Sequence, residues 1–460
     1  MSELDEARRG ALLTAPIGRL LVTLSAPALA VTALHAAGVL VDVVFAGHLI
    51  GSEAIAALGV VHALNHVVFA LEALVAVGAG TVLSVAIGER DVAARCQVLP
   101  AVGLLTTAVS LVIVGVGAML AHPALGLLGL QGETLAMGWA YYRVYLAGSV
   151  LVVFAFASGA LLQARGDLLR LTLHQAAGLG ATVLATPLLI GPAGLGLAGA
   201  AGGTVAGAAV TAALNTVALL QASRGLRPLR APSWQLLGRV LRVGQSGLLM
   251  QLSYFVQGAL VFGMLARVGD GGDLAFMGAT YRLVLVGVYL ATGFARALQP
   301  IVGVNHGAGA PGRVARAFVL FNAGALAVMA TPWLAIMAAP ATVLRLLAPD
   351  LALSAAQAAD FRVYFAIVPV LPFLLTTLTL YQSIGLAWQV TALGLVRLGV
   401  LFVPALVVLP RVFGVSGVYY ALAWMDLALA ALLLVHGLIV VRPRFTLRAA
   451  PAATAMEGSA

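Results

Sequence analysis

Twelve stretches of the chain are apolar enough and long enough to cross a membrane: 16–46, 54–87, 98–120, 135–162, 168–190, 195–220, 236–266, 274–304, 315–339, 357–384, 388–410 and 415–440. Each supplies the ~20 residues an α-helix needs to traverse a hydrocarbon core. Turn formers such as Gly191-Pro192 and Asp270-Gly271-Gly272 stand between them. Inside a bilayer every backbone N–H and C=O must be satisfied within the protein, which leaves helices or a closed barrel. Alternation at period two is absent, so the pattern predicts an all-α integral membrane protein of twelve transmembrane helices, numbered here as spans 1 to 12.

Composition agrees with lipid as the solvent. Hydrophobic residues make up 62% of the 460 and charged residues only 9%, against roughly a quarter charged in soluble domains. The net charge of +9 is carried by arginine alone, with no lysine. Arg8, Arg9 and Arg19 lie at the N-terminus, Arg90 and Arg95 follow span 2, and Arg165 and Arg170 follow span 4. Arg224, Arg227, Arg230, Arg239 and Arg242 follow span 6, Arg313 and Arg316 span 8, and Arg442, Arg444 and Arg448 span 12. Seventeen of the 25 thus fall on one side, although the loop after span 10 carries none. By the positive-inside rule both termini are cytoplasmic and the protein is multi-pass in the cell (inner) membrane. Scattered single arginines exclude nucleic acid as a partner; the bilayer and small-molecule substrates remain, and nothing requires more than a monomer. Met1 to Arg9 resembles a signal-peptide start, but the apolar run behind it is too long and contains His35 and Asp42, so it reads as a retained span. Cys96, the only cysteine, permits no internal disulfide or cysteine metal cluster.

The chain repeats itself at an offset of 219: Gly59 with Gly278, Gly88 with Gly307, Gln163 with Gln382 and Gly166 with Gly385. Leu162-Gln163-Ala164-Arg165-Gly166 answers to Tyr381-Gln382-Ser383-Ile384-Gly385. A unit of six spans enters and leaves on one side, so the two bundles form a parallel repeat with its pseudo-twofold along the membrane normal. The expected division is an N-terminal bundle 1–222, a basic linker 223–235 interrupted by Pro228 and Pro232, a C-terminal bundle 236–442 and a disordered tail 443–460.

The stretch Val41-Asp42-Val43-Val44-Phe45-Ala46-Gly47-His48-Leu49-Ile50-Gly51 resembles the end of the first helix in the multidrug and toxic compound extrusion (MATE) family. Gln299-Pro300-Ile301-Val302-Gly303-Val304-Asn305-His306-Gly307-Ala308-Gly309 resembles the end of its eighth, and Gln163 to Asp167, Gly194 to Ala201 and Phe413 to Gly417 are similar to further signatures. The resemblance runs over about 15–440. It implies two six-helix bundles around a central cavity and efflux of amphipathic, often cationic, compounds driven by a proton or sodium gradient. Thr182 and Thr186, ahead of Pro187, stand where the family often has an Asn and an Asp. Hydroxyls remain there without the charge, and spans 7 and 10 contain no acid beyond Asp360 at the edge of span 10.

Asp42, Gly38 and His35 lie at i, i−4 and i−7 of span 1, on one helix face. A carboxylate inside a bilayer costs several kcal/mol unless it is paired, protonated or wetted, which suits a group that takes up and releases an ion. Asp42 is therefore the expected coupling carboxylate, with Glu72 in span 2, His35, Thr182 and Thr186 as further ion-coupling candidates. The repeat supplies a control, since Asp42 answers to Val261 and Glu72 to Ala291, and the scaffold does not need acids there. Asp426 in span 12 is placed to pair with Arg397 in span 11. His62 and His66 are spaced i, i+4 but lack a third ligand at fixed spacing, and read as polar packing. Tyr254, Gln257, Tyr281 and Tyr381 are the candidate lining of a substrate cavity. Gly307-Ala308-Gly309-Ala310-Pro311-Gly312 matches a dinucleotide fingerprint but follows a membrane span instead of a strand, and reads as a tight turn.

The function expected is a secondary active antiporter exporting amphipathic, cationic organic compounds in exchange for protons or sodium, without a cofactor beyond that transported ion. A lipid-linked saccharide flippase is the alternative, with only Arg282, Arg296 and Arg397 available for a phosphate headgroup. An integral membrane enzyme is disfavoured by the lack of H-E-x-x-H, G-x-S-x-G and Walker motifs.

Overall fold

The computed structural model describes residues 3–223, 231–347 and 354–443. Among them every regular element is helical, and twelve helices are long and apolar enough to span a membrane. Spans 1 to 6 are Ile17–Leu49, Ser52–Glu89, Val92–Leu127, Gly132–Ala164, Leu168–Ile190 and Leu197–Ala222. Spans 7 to 12 are Trp234–Val268, Gly271–Gly307, Pro311–Ala338, Ala355–Ser383, Ala387–Phe413 and Ser416–Val441. The helices overrun the apolar runs at several ends, most of all span 3. Pro100 and Pro123 lie inside span 3 without ending it, because neighbouring helices and local adjustment re-satisfy the freed backbone groups in a bundle. A further helix, Glu3–Thr14, precedes span 1 where only a basic start was expected. The central part of the expected linker, 224–230, and the tail from 444 onward lie outside the described residues.

Spans 3 to 6 pack mainly within the first bundle and spans 9 to 12 within the second, while the two bundles meet extensively through spans 1 and 2 against 7 and 8, span 7 packing most of all on span 2. Gly166 (φ 73°) and Gly385 (φ 84°) both adopt the left-handed backbone at the turns after spans 4 and 10. Only glycine takes that conformation without strain, which explains why the two positions match across the repeat. The bundles touch where small residues let backbones approach. Gly78 and Gly244 of spans 2 and 7 abut the opposing backbone at Val240 and Leu74, and Gly303 of span 8 abuts Ser84 of span 2. These contacts all lie in the halves of the spans nearer the chain termini.

On that same face the helix Glu3–Thr14 lies across the seam. Arg8 pairs with Asp167 at 2.8 Å, while Arg9 donates from Nε to Ile87 O (3.0 Å) and from Nη2 to Gly88 O (3.1 Å), capping the last carbonyls of span 2. From the other bundle, Arg313 Nη2 donates to Leu12 O (3.2 Å) and Ala15 O (2.8 Å), and Asn305 Nδ2 to Leu12 O (3.0 Å). One short helix therefore holds both halves.

Candidate functional site

Asp42 is 3% exposed, seven residues (about 10 Å) inside the end of span 1. Its Oδ2 accepts from Tyr141 Oη of span 4 at 2.9 Å. Thr204 Oγ1 of span 6 stands 3.1 Å from Oδ2 and 3.2 Å from Oδ1. A single carboxylate thus ties three helices of the N-terminal bundle together. Two hydroxyl donors and, among the described residues, no basic partner make this an acceptor-rich pocket that can hold a proton or a small cation. Tyr141 stacks on Tyr145, with ring centroids 6.2 Å apart. Tyr145 lies within electrostatic range of both Asp42 and Glu72. Glu72 is 2% exposed, and its Oε1 has no hydrogen-bond partner.

Other expected members lie elsewhere. His35 does not reach Asp42: two helical turns separate them by about 10 Å along the axis, beyond the reach of an imidazole. Its ring meets Phe156 edge-on at 5.7 Å and Phe69 at 6.4 Å. Thr182 donates to Gly178 O at 3.2 Å and abuts Gly207, and Thr186 abuts Gly203. Both hydroxyls serve the close packing of span 5 on span 6, not the Asp42 pocket. Tyr141 and Thr204 are the partners that sequence reasoning missed. The tyrosines at 141 and 145, one turn apart on one face of span 4, were a readable signal, whereas Thr204 in a glycine-rich helix carried none.

In the C-terminal bundle the positions answering to Asp42 and Glu72, Val261 and Ala291, are buried apolar packing at 1% and 0% exposure. Polar chemistry there takes another form. Arg397 Nη2 and Nε reach Asp426 Oδ1 at 3.1 and 3.2 Å, and its guanidinium lies over the Tyr254 ring at 5.0 Å. Arg397 stands in a π-helical stretch, Val396–Phe402, a feature common at functional sites. Of the expected cavity residues, Tyr254 is thus engaged by Arg397. Gln257 is buried with Oε1 unpartnered, and Tyr281 is half-buried with its ring edge-on to Phe262 at 6.4 Å. Tyr381 is 1% exposed and bound to span 12 through Leu433 O (3.4 Å) and His436 Nδ1 (3.0 Å), so it is packing and lines no cavity. His66 Nδ1 contacts His62 O at 2.9 Å, and its ring stacks on Phe255 of span 7 at 6.1 Å.

The MatE family model matches residues 27–188, which include span 1 from Pro27 and the whole of spans 2, 3 and 4. The multidrug export protein MepA of Staphylococcus aureus strain MRSA252 is 24% identical over 442 residues, 94% of this chain and 95% of that protein. A FAD transporter of Shewanella oneidensis is 25% identical over 323 residues, 68% of this chain and 70% of that protein. A MATE crystal structure in the bent conformation superposes with a TM-score of 0.88 at 22% identity, covering 97% of this chain and 98% of that one. These relatives are named as transporters, and the chain is not an enzyme. With residues 27–188 matched by the MatE family model, 94% of its length aligned to a multidrug export protein and its twelve-helix fold shared with a MATE structure, the chain is similar along nearly its whole length to the multidrug and toxic compound extrusion family of membrane transporters.

Proposed function

We propose that the protein is a secondary active multidrug antiporter of the cell (inner) membrane, with both termini cytoplasmic, that exports amphipathic organic compounds in exchange for protons or sodium, with Asp42 as the coupling carboxylate. The observation that carries this reading is the Asp42 pocket, a buried acid held by hydroxyls of spans 4 and 6 and, among the described residues, facing no base. A charged carboxylate accepts from both hydroxyls; a proton or sodium ion on it changes what it can accept, and so how spans 1, 4 and 6 are tied. Span 1 also packs on span 8 across the seam, where Gly293 abuts Leu29. A change at Asp42 therefore has a mechanical route to the bundle interface, and rocking of the halves alternates access. In the arrangement described, the seam is sealed on the side of the termini.

The names of the two relatives cover drugs and a dinucleotide, which supports a broad range of bulky organic substrates. A preference for cations would need an acid open to the cleft, and Asp42, Glu72, Asp360 and Asp426 are all buried. Cationic compounds remain within the reading only through aromatic faces such as Phe69. The test is efflux from proteoliposomes with proton and sodium gradients imposed separately. Asp42→Asn should fold and lose gradient-driven transport; full transport by a well-expressed Asp42→Asn protein refutes the reading.

A further inference from the structure

Burial changes within one turn of span 8. Below, Gln299 is 8% exposed and in contact with Gln163 Nε2 (3.3 Å) and Ser84 Oγ (3.4 Å), and Gly303 is closed against Ser84. Above, Arg296 regains exposure together with His35, Phe156 and Phe69, the last at 36%. Arg296 is seven residues before Gly303 and so lies on the same seam-facing side of the helix. It is eleven residues, about 16 Å, inside the end of span 8.

The guanidinium lies over the Phe156 ring at 5.6 Å and pairs with no carboxylate among the described residues. All four acids buried within the spans are enclosed elsewhere. Asp42 accepts from Tyr141 and Thr204, Asp360 from Ser416 and Asp426 from Arg397, while Glu72 stays inside the N-terminal bundle. His35 Nδ1, beside this cluster, has no hydrogen-bond partner. Arg282, fourteen residues earlier and on nearly the same face of span 8, is exposed and likewise unpaired among the described residues. An arginine at bilayer depth without an acid is costly and marks a site that a transported group completes. Its planar fork matches a phosphate or carboxylate, and the surrounding rings match a flat aromatic body better than an acyl chain.

We propose that Arg296, with Phe156, Phe69 and His35, forms a binding site for aromatic organic anions where span 8 meets spans 1, 2 and 4. This rests on the efflux reading above and narrows its substrate class. The anionic group pairs with the Arg296 guanidinium, and the ring system lies among Phe156, Phe69 and His35.

The test compares flavin mononucleotide, an aromatic ring system bearing one phosphate, with ethidium, an aromatic cation. Equilibrium binding is read by fluorescence on the full chain in nanodiscs, and flux in proteoliposomes. Arg296→Gln should weaken flavin mononucleotide binding about 10- to 100-fold, the range of a charge-assisted hydrogen bond, and leave ethidium binding unchanged or improved. Arg296→Lys should recover part of the loss. Phe156→Leu, which keeps the charge, should weaken flavin mononucleotide binding severalfold and serves if Arg296→Gln does not fold. Equal binding of flavin mononucleotide by wild type and Arg296→Gln, or equal losses for both probes, overturns the proposal. So does binding in zwitterionic nanodiscs that disappears in anionic ones, which would assign the arginine to a lipid headgroup. Wild-type ethidium efflux without flavin mononucleotide binding sinks this inference alone; binding without gradient-driven flux of either probe sinks the antiport reading alone.

Discussion

Gly88 of span 2 and Gly307 of span 8, equivalent positions of the two repeats, stand back to back across the seam. A Cβ added to Gly88 would come within 2.9 Å of Gly307 Cα and of Ala308 N; one added to Gly307 would come within 3.2 Å of Gly88 Cα. The pseudo-twofold therefore passes between them, and neither position has room for a side chain. Gly88→Leu should wedge the bundles apart at a cost of about 1–3 kcal/mol, as overpacking does. In a Cys96→Ala background, a Ser84→Cys reporter should resist maleimide and become reactive when Gly88→Leu is added. An unreactive reporter in the double variant would mean that the seam is not held at this crossing.

The Asp42 pocket makes a separate prediction. Tyr141→Phe and Thr204→Val each remove the hydroxyl that bonds the carboxylate and keep the shape of the side chain. Hydrogen bonds to charged groups contribute about 1.5–3 kcal/mol, so each variant should lower coupled efflux by about tenfold or more. Asp42→Asn combined with Tyr141→Phe should be no worse than Asp42→Asn alone, because both act through one group. Additive losses in that double variant would separate Tyr141 from the coupling step.

Much of this architecture was legible in the chain because the bilayer imposes few choices. Apolar length fixed the number of spans, and the 219-residue offset found the pair Gly88 and Gly307 before their contact was known. Arg397 with Asp426 was also readable, since two opposite charges in consecutive spans have little else to pair with. The Asp42 partners were not, because Tyr141 and Thr204 come from spans 4 and 6 and their meeting depends on helix rotations that no local pattern encodes. His35 misled for the opposite reason: a shared helix face gives direction but not reach. Tyr381 likewise carried a general aromatic signal that could not distinguish packing against span 12 from exposure to a cavity.

The buried Arg397–Asp426 pair should be asymmetric in its energetics. Removing one member leaves an uncompensated charge in the bundle and costs about 3–5 kcal/mol, while replacing both by apolar residues is often close to neutral. Asp426→Leu and Arg397→Leu alone should each lower the melting temperature in detergent strongly, and Arg397→Leu/Asp426→Leu should recover most of it. If the double variant is stable but transports poorly, the pair is retained for function, in keeping with its π-helical setting and the Tyr254 contact. Single variants that melt like wild type would show that the pair is open to water.

The helix Glu3–Thr14 makes the last prediction, because its contacts belong to one arrangement of the bundles. Arg8 and Arg9 hold it to the N-terminal half through Asp167 and the carbonyls of Ile87 and Gly88. Arg313 and Asn305 hold its C-terminal end and Ala15 from the other half. Rocking of the halves to open the side of the termini would separate these two sets of anchors, so the bonds from at least one bundle must break in each transport cycle. Arg313→Gln removes the bonds to Leu12 O and Ala15 O, together with the one that Arg313 Nε donates to Asn305 Oδ1 of span 8 (3.1 Å). It should raise maleimide reactivity of the Ser84→Cys reporter, in the Cys96→Ala background, severalfold. Arg9→Gln, acting on the opposite anchor, should do the same, and the two together should add little once the bridge is broken. Reporter reactivity that stays at the wild-type level in both variants would show that the small-residue crossing alone seals this face and that the helix only rests upon it.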